Sequence, residues 1–127
     1  MILLIVASSN VLAEWILYAT RENGDSLYID KPIKHNKNSE SIWFINDFSK
    51  DKDFKGDAYK SQKLHADINC KGKQVKTRAI YIHSGNIGQG ELIGYENFSN
   101  EPWVDIPPGS QAENLWEVAC KNKWKPD

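Results

Sequence analysis

Ser61, His65 and Asp67 are the residues whose types most nearly assemble a reactive set. On a β-strand alternate side chains share a face, so these three would line up along one side. A histidine beside a carboxylate is the start of a general base or of a metal site. Three groups in a line on one strand leave no obvious place for an oxyanion hole, however. The expectation is a polar, solvated strand face. His35 and His83 have no partner nearby in the chain and would need the fold to bring them together before they could hold a metal. No catalytic residues, metal ligands or cofactor are expected, and the chain reads as a non-enzyme.

Two other clusters invite a functional reading. Gly85, Gly88 and Gly90 fall in the run Ser84-Gly-Asn-Ile-Gly-Gln-Gly90. A phosphate-binding loop needs a helix directly after its glycines, so that helix N-terminal amides face the anion. A β-rich segment follows here, and the glycines are expected to supply positive φ in a hairpin connection. Lys31, Lys34, His35 and Lys37 make a short basic stretch. They are the candidate contacts for an acidic partner, such as a sulfated glycan or an acidic protein segment. The alternative is a solvated connection between strands.

The elements that must position these residues read mostly as strands. Trp15 to Arg21 is aromatic and β-branched, ends at Asn23-Gly24-Asp25, and continues as Leu27-Tyr28-Ile29-Asp30, the pattern of a hairpin. Pro32 closes the second strand, and Lys31 to Glu40 reads as a loop. Ser41 to Phe48 carries large side chains on both faces and should be a central strand; Lys50 to Gly56 reads as a long exposed turn. In Tyr59 to Cys70, Leu64, Ala66, Ile68 and Cys70 alternate with Lys63, His65, Asp67 and Asn69, a period of two. Val75 to His83 and Glu91 to Tyr95 complete the strands. After Pro107-Pro108-Gly109, the sequence Ser110-Gln-Ala-Glu113 is a capping box. Ala112, Leu115, Trp116, Ala119 and Cys120 then recur at helical spacing. The fold class is therefore α+β: an antiparallel sheet of about six strands with one C-terminal helix.

Cys70 falls on the apolar strand face and Cys120 on the apolar helix face, so a disulfide between them would staple helix to sheet. A metal-binding pair would want closer spacing and further ligands. An oxidised pair requires an oxidising compartment, and the N-terminus points the same way. Residues 1–13 hold the uncharged run Ile2-Leu3-Leu4-Ile5-Val6-Ala7 and end in Val11-Leu12-Ala13, as the apolar region and cleavage site of a signal peptide do. The alternative for this run is a buried strand. It is too short to span a bilayer, which takes about 20 apolar residues, and no cysteine follows it to carry a lipid. Residues 14–127 are then one domain, supplied with five Trp, five Tyr and four Phe for its core. A formal net charge of −1 with interspersed signs offers no field for nucleic acid. Trp103, beside Pro102, is expected to close the core edge, while Trp124, in a Lys-rich tail, is expected to be exposed.

In its order of features the chain resembles the surface-adhesin protein E family of small exported bacterial proteins. The resemblance runs through Trp15 and Tyr18, Leu27 to Asp30, Trp43, Ser61, Asp67 and Cys70, the Ser84–Gly90 loop, Trp103, Ile106-Pro107-Pro108 and the helix with Cys120. It implies the same sheet, terminal helix and single disulfide. A member of that family binds host matrix and plasma proteins such as vitronectin and laminin, so the resemblance implies an exported binding protein, located in the periplasm or at the surface of a Gram-negative bacterium. The expected partner is a protein or envelope macromolecule, with no nucleic acid and no transmembrane span; open strand edges would also permit a homodimer by sheet extension. The alternative function is that of a periplasmic inhibitor or stress-protective protein acting on a cell-wall hydrolase. A small-ligand carrier would need an apolar pocket between sheet and helix.

Overall fold

The computed structural model of the chain describes residues 14–124; the run read as a signal peptide lies outside the described residues. In chain order the elements are β1 (Glu14–Thr20), β2 (Ser26–Lys31), β3 (Lys34–His35), β4 (Glu40–Phe54), β5 (Asp57–Asn69), β6 (Gln74–His83), β7 (Leu92–Asn97), β8 (Val104–Asp105) and α1 (Gln111–Lys121). They form a single antiparallel sheet with the path β1-β2-β4-β5-β6-β7, to which β3 adds on β4 and β8 on β6. The expected architecture is the one observed.

Three boundaries differ from expectation. Lys50 to Gly56 is not a long turn: β4 continues to Phe54 and pairs with Asp57 after a register shift between Asp47 and Lys52. Only Lys55 (φ 52°) and Gly56 (φ 91°) form the turn, as a two-residue hairpin with positive φ at both positions requires. Charge hid this strand, because its side chains face solvent and offer no apolar alternation. Lys31 to Glu40 is likewise more ordered than a loop, since Lys34 and His35 pair with Ser41 and Glu40. The last long strand extends past Tyr95 to Asn97.

Alternation divides the sheet into two unlike faces. Leu27 and Ile29 of β2, Ile42 and Phe44 of β4, and Ala66 and Ile68 of β5 meet Tyr18 of β1 and the helix residues Leu115, Val118 and Ala119 in one buried cluster. Ile29, Ile42 and Ile68 are fully excluded from solvent, each contributing about 1.5–3 kcal/mol by burial. Val118, absent from the apolar face read in the sequence, is a core residue, so the helix is rolled slightly from that expectation. Ser110 caps the helix by accepting the Glu113 N–H at 3.2 Å. The Glu113 carboxylate accepts the Gly109 N–H at 3.1 Å and the Lys73 ammonium at 2.8 Å, fastening the helix start to the β5–β6 turn.

Cys70, one residue past β5, is bonded to Cys120, and the Trp116 indole N–H donates to the Cys70 carbonyl at 3.1 Å. The staple joins helix to sheet as the two apolar faces required. The chain beyond the helix does not splay. Asn122 takes a left-handed conformation with φ 53°, and Trp124 packs against the core cluster with the Lys31 ammonium 5.4 Å from its ring centre. The expectation of an exposed Trp124 is therefore corrected.

Candidate functional site

Among the described residues no helix or strand lies over the face of the sheet turned away from α1, and the Ser84–Gly90 loop closes over part of it. Register carries one line of side chains across the six strands of the main path: Leu17 opposite Tyr28, Tyr28 opposite Ile45, Ile45 opposite Lys63, Lys63 opposite Tyr81 and Tyr81 opposite Tyr95. Leu17 and Tyr95 remain 52% and 54% exposed. In the next line Trp43 stands opposite His65, their rings parallel with centres 4.4 Å apart. Tyr81 lies 5.9 Å from Trp43 and 5.0 Å from Tyr95, and the Lys63 ammonium sits 5.3 Å from the Tyr81 ring centre. A solvated polar face was expected here. The face is instead aromatic and half-buried, with polar groups between the rings.

The three residues that opened the chemical question do different work. Ser61 is fully buried. It donates to the Gly85 carbonyl at 2.6 Å and accepts the Gly88 N–H at 2.9 Å. Asp47 accepts the Ile87 N–H at 2.7 Å and the Asn86 amide at 3.1 Å. Ser61 and Asp47 thus dock the Ser84–Gly90 loop back onto the sheet, where it seals Ile45. Gly88 (φ 68°) and Gly90 (φ 77°) carry the positive φ expected of a hairpin connection, and a Cβ on Gly90 would fall 2.4 Å from Ser84 Oγ.

His65 does not bond to Ser61; its Nε2 lies 2.6 Å from Ser41 Oγ. Burial lowers its pKa, Asp67 opposes this, and Arg78 and Lys34 reinforce it, so the imidazole is neutral at pH 7. Asp67 lies 3.6 Å from Arg78. His83 at the other end of the face has its pKa lowered by burial and then by Lys63, with the Gly90 backbone opposing. Ser41, not Ser61, is the hydroxyl beside His65, and it stands opposite Asp67, whose carboxylate faces Arg78; among the described residues no group of three or more His, Cys, Asp or Glu is placed to hold a metal.

The basic stretch divides between the two sides of the sheet. Lys34 lies opposite Ser41 and belongs to the helix-free face. Lys31 turns toward Trp124, His35 is paired with Glu40, and Lys37 is exposed at the tip of the β3–β4 hairpin. Trp103 is half-buried beside β6 with the Lys76 ammonium 4.7 Å from its ring centre. Alternating aromatics at Trp43, Tyr81 and Tyr95 were a visible signal for this face, but only register shows that they meet.

Two hollows open on the helix side. One of about 350 Å³ at the helix N-terminus is lined by polar groups including Arg21, Asp25, Asn46, Gln62, Gln111 and Asn114. The other, of about 480 Å³, is lined mainly by apolar residues such as Leu64, Val75, Ile80, Phe98 and Val104. No tryptophan lines either hollow. Among the described residues no helix is long and apolar enough to cross a membrane.

The described residues form a disulfide-stapled antiparallel sheet with one terminal helix and aromatic side chains on the face away from it. The chain belongs to the surface-adhesin protein E family, whose sequence pattern it matches over residues 15–121. Its fold is similar to that of Haemophilus influenzae protein E, at 15% identity and a TM-score of 0.62 over 89% of this chain and 88% of that one. A second crystal form of that protein gives 15% identity and a TM-score of 0.63, over 89% and 91% of the two chains. Protein E from non-typeable Haemophilus influenzae gives 14% and 0.60, over 94% and 85%. No curated protein matches the sequence.

Proposed function

We propose that this chain is an exported, non-enzymatic binding module that holds a host or envelope macromolecule on its helix-free face. The observation that carries the reading is the set Leu17, Tyr28, Lys63, Tyr81 and Tyr95, which flank the loop-covered Ile45 along one line. A sheet normally buries its apolar side chains under another layer, and an aromatic surface left uncovered marks an interaction site. Family membership supports an adhesin-like role. The disulfide and the apolar run in residues 1–13 support cleavage after Ala13 and export, with residues 14–127 as the mature domain. Of the basic stretch Lys31, Lys34, His35 and Lys37, Lys34 belongs to this face and would add a contact to an acidic partner.

Cell fractionation with protease shaving of intact cells tests the reading. Accessible protein, with leakage controls clean, supports adhesion at the cell surface. Protection in the periplasm sets adhesion aside and makes envelope components and cell-wall hydrolases the partners to assay. Replacing Tyr81 and Tyr95 by Ser in the full chain should abolish attachment to immobilised extracellular matrix. The helix-side pair Lys71→Ala and Lys121→Ala should not, and equal attachment by both variants would move the site elsewhere.

A further inference from the structure

The helix-free face carries cations among its aromatic rings. The chain as a whole carries a net charge of −1. On this face, Lys34 and Lys76 stand at the outer ends of the line that runs through Ser41 and Asp67. Arg78 occupies the extra position of the β5–β6 register shift, and Lys63 lies one line beyond the Trp43–His65 pair. Four cations thus surround the aromatic cluster. The carboxylates on this face are Asp67, held by Arg78, Asp47, which bonds the Ser84–Gly90 loop, Asp105, which accepts the Gln74 amide, and Asp30, whose pKa burial raises while Lys34 opposes. Among the described residues no carboxylate lies within ion-pair distance of Lys34, Lys63 or Lys76. Lys63 and Lys76 instead rest over the Tyr81 and Trp103 rings. Unpaired ammonium groups held against ring faces keep their charge available and lose little freedom when an anion arrives.

We propose that this face is a site for an anionic polysaccharide, whose sulfate or carboxylate groups are taken by Lys34, Lys63, Lys76 and Arg78 and whose sugar rings lie against the aromatic side chains between them. The inference rests on the reading of the helix-free face as the recognition surface and adds the chemistry of what it recognises. A peptide is the poorer fit. The backbone groups here are spent on the sheet ladder, so an extended chain laid on the face gains no main-chain pairing of the kind an edge offers. A pyranose presents polarised C–H groups that the negative face of an aromatic ring attracts, and its acidic substituents recur at intervals along the polymer. Spread cations flanking rings suit that repeat.

Isothermal titration of the folded chain with heparin, fully desulfated heparin (which keeps its carboxylates), dextran, poly-L-glutamate and a single-stranded oligonucleotide tests the proposal. Heparin should bind with an affinity that falls as salt rises, and dextran should not bind. Retention of the desulfated polymer assigns recognition to carboxylates, and its loss assigns it to sulfates. The variant Lys34→Ala/Lys63→Ala/Lys76→Ala should bind heparin roughly tenfold more weakly with a flatter salt dependence, each exposed ion contact carrying a small factor. The matching Lys→Arg variant should bind as the parent does, and Tyr95→Ser should weaken heparin binding at unchanged salt slope.

Absence of binding to both heparin forms, or equal binding by the Lys→Ala variant, overturns the proposal. So does equally tight binding of poly-L-glutamate or the oligonucleotide with no effect of Tyr95→Ser. If heparin fails while the Tyr81/Tyr95 variant still loses attachment to matrix, the face remains the recognition surface and the glycan assignment alone falls. If that variant attaches normally, the underlying reading falls with it.

Discussion

Removing the Cys70–Cys120 bridge through Cys70→Ala/Cys120→Ala should be the most costly change that leaves the core side chains in place. The bond joins residues 50 apart in sequence. Closing a loop of that size removes about 4 kcal/mol of conformational freedom from the unfolded chain, a large part of the roughly 5–15 kcal/mol that holds such a domain folded. Both half-cystines also pack against the core cluster, so truncation to Ala adds about 1 kcal/mol of lost burial. Urea unfolding followed by tryptophan fluorescence should show the midpoint falling by about 2.5 M for a slope near 2 kcal/mol/M. Melting should fall by about 15–20 °C. Trp116 is a built-in reporter through its hydrogen bond to the Cys70 carbonyl. Wild-type protein unfolded with and without reductant separates the two contributions, because reduction opens the loop without removing sulfur. A reduced wild type within about 0.5 kcal/mol of the oxidised protein would refute the loop-closure argument. A loss confined to the Ala variant would assign the effect to packing.

Three further outcomes follow from particular contacts. Ser61→Ala deprives the Gly85 carbonyl and the Gly88 N–H of a partner and should cost about 2–4 kcal/mol, with faster amide exchange in residues 84–91 as the local readout. Ser110→Ala removes the helix cap and should cost about 0.5–2 kcal/mol, measured by the same urea titration. His65 and His83 have lowered pKa values in the folded chain. The unfolded chain therefore takes up protons first as pH falls, so stability is complete above the unfolded value near 6.5 and declines as pH passes down through the folded values. Urea midpoints should fall from pH 7.5 to pH 5 by less in His65→Gln than in the parent, and equal declines would remove His65 from the account.

Most of the architecture was legible because it obeys short-range periodicities. The alternation through Leu64, Ala66, Ile68 and Cys70 identifies β5 and its buried face, and the Ser110–Glu113 capping box marks the helix start. Two cysteines on two apolar faces leave one staple to make. The extension of β4 to Phe54 escaped notice because its charged residues have no buried side to announce them. Trp124 departs from expectation because a lysine-rich tail looks free in sequence, whereas its indole packs against the core cluster.

The amino-acid order therefore determined the main strands and the helix, most of the core face and the cysteine pairing, properties set by neighbours a few residues apart or by a count of two. The assembly of Leu17, Tyr28, Lys63, Tyr81 and Tyr95 into one line, the stacking of Trp43 on His65, and the withdrawal of Ser61 from any reactive set depend on strand register. Register is set by hairpin turns, bulges and the burial of the opposite face together, so no single segment contains it, and the binding face arises only when the whole sheet closes on its helix.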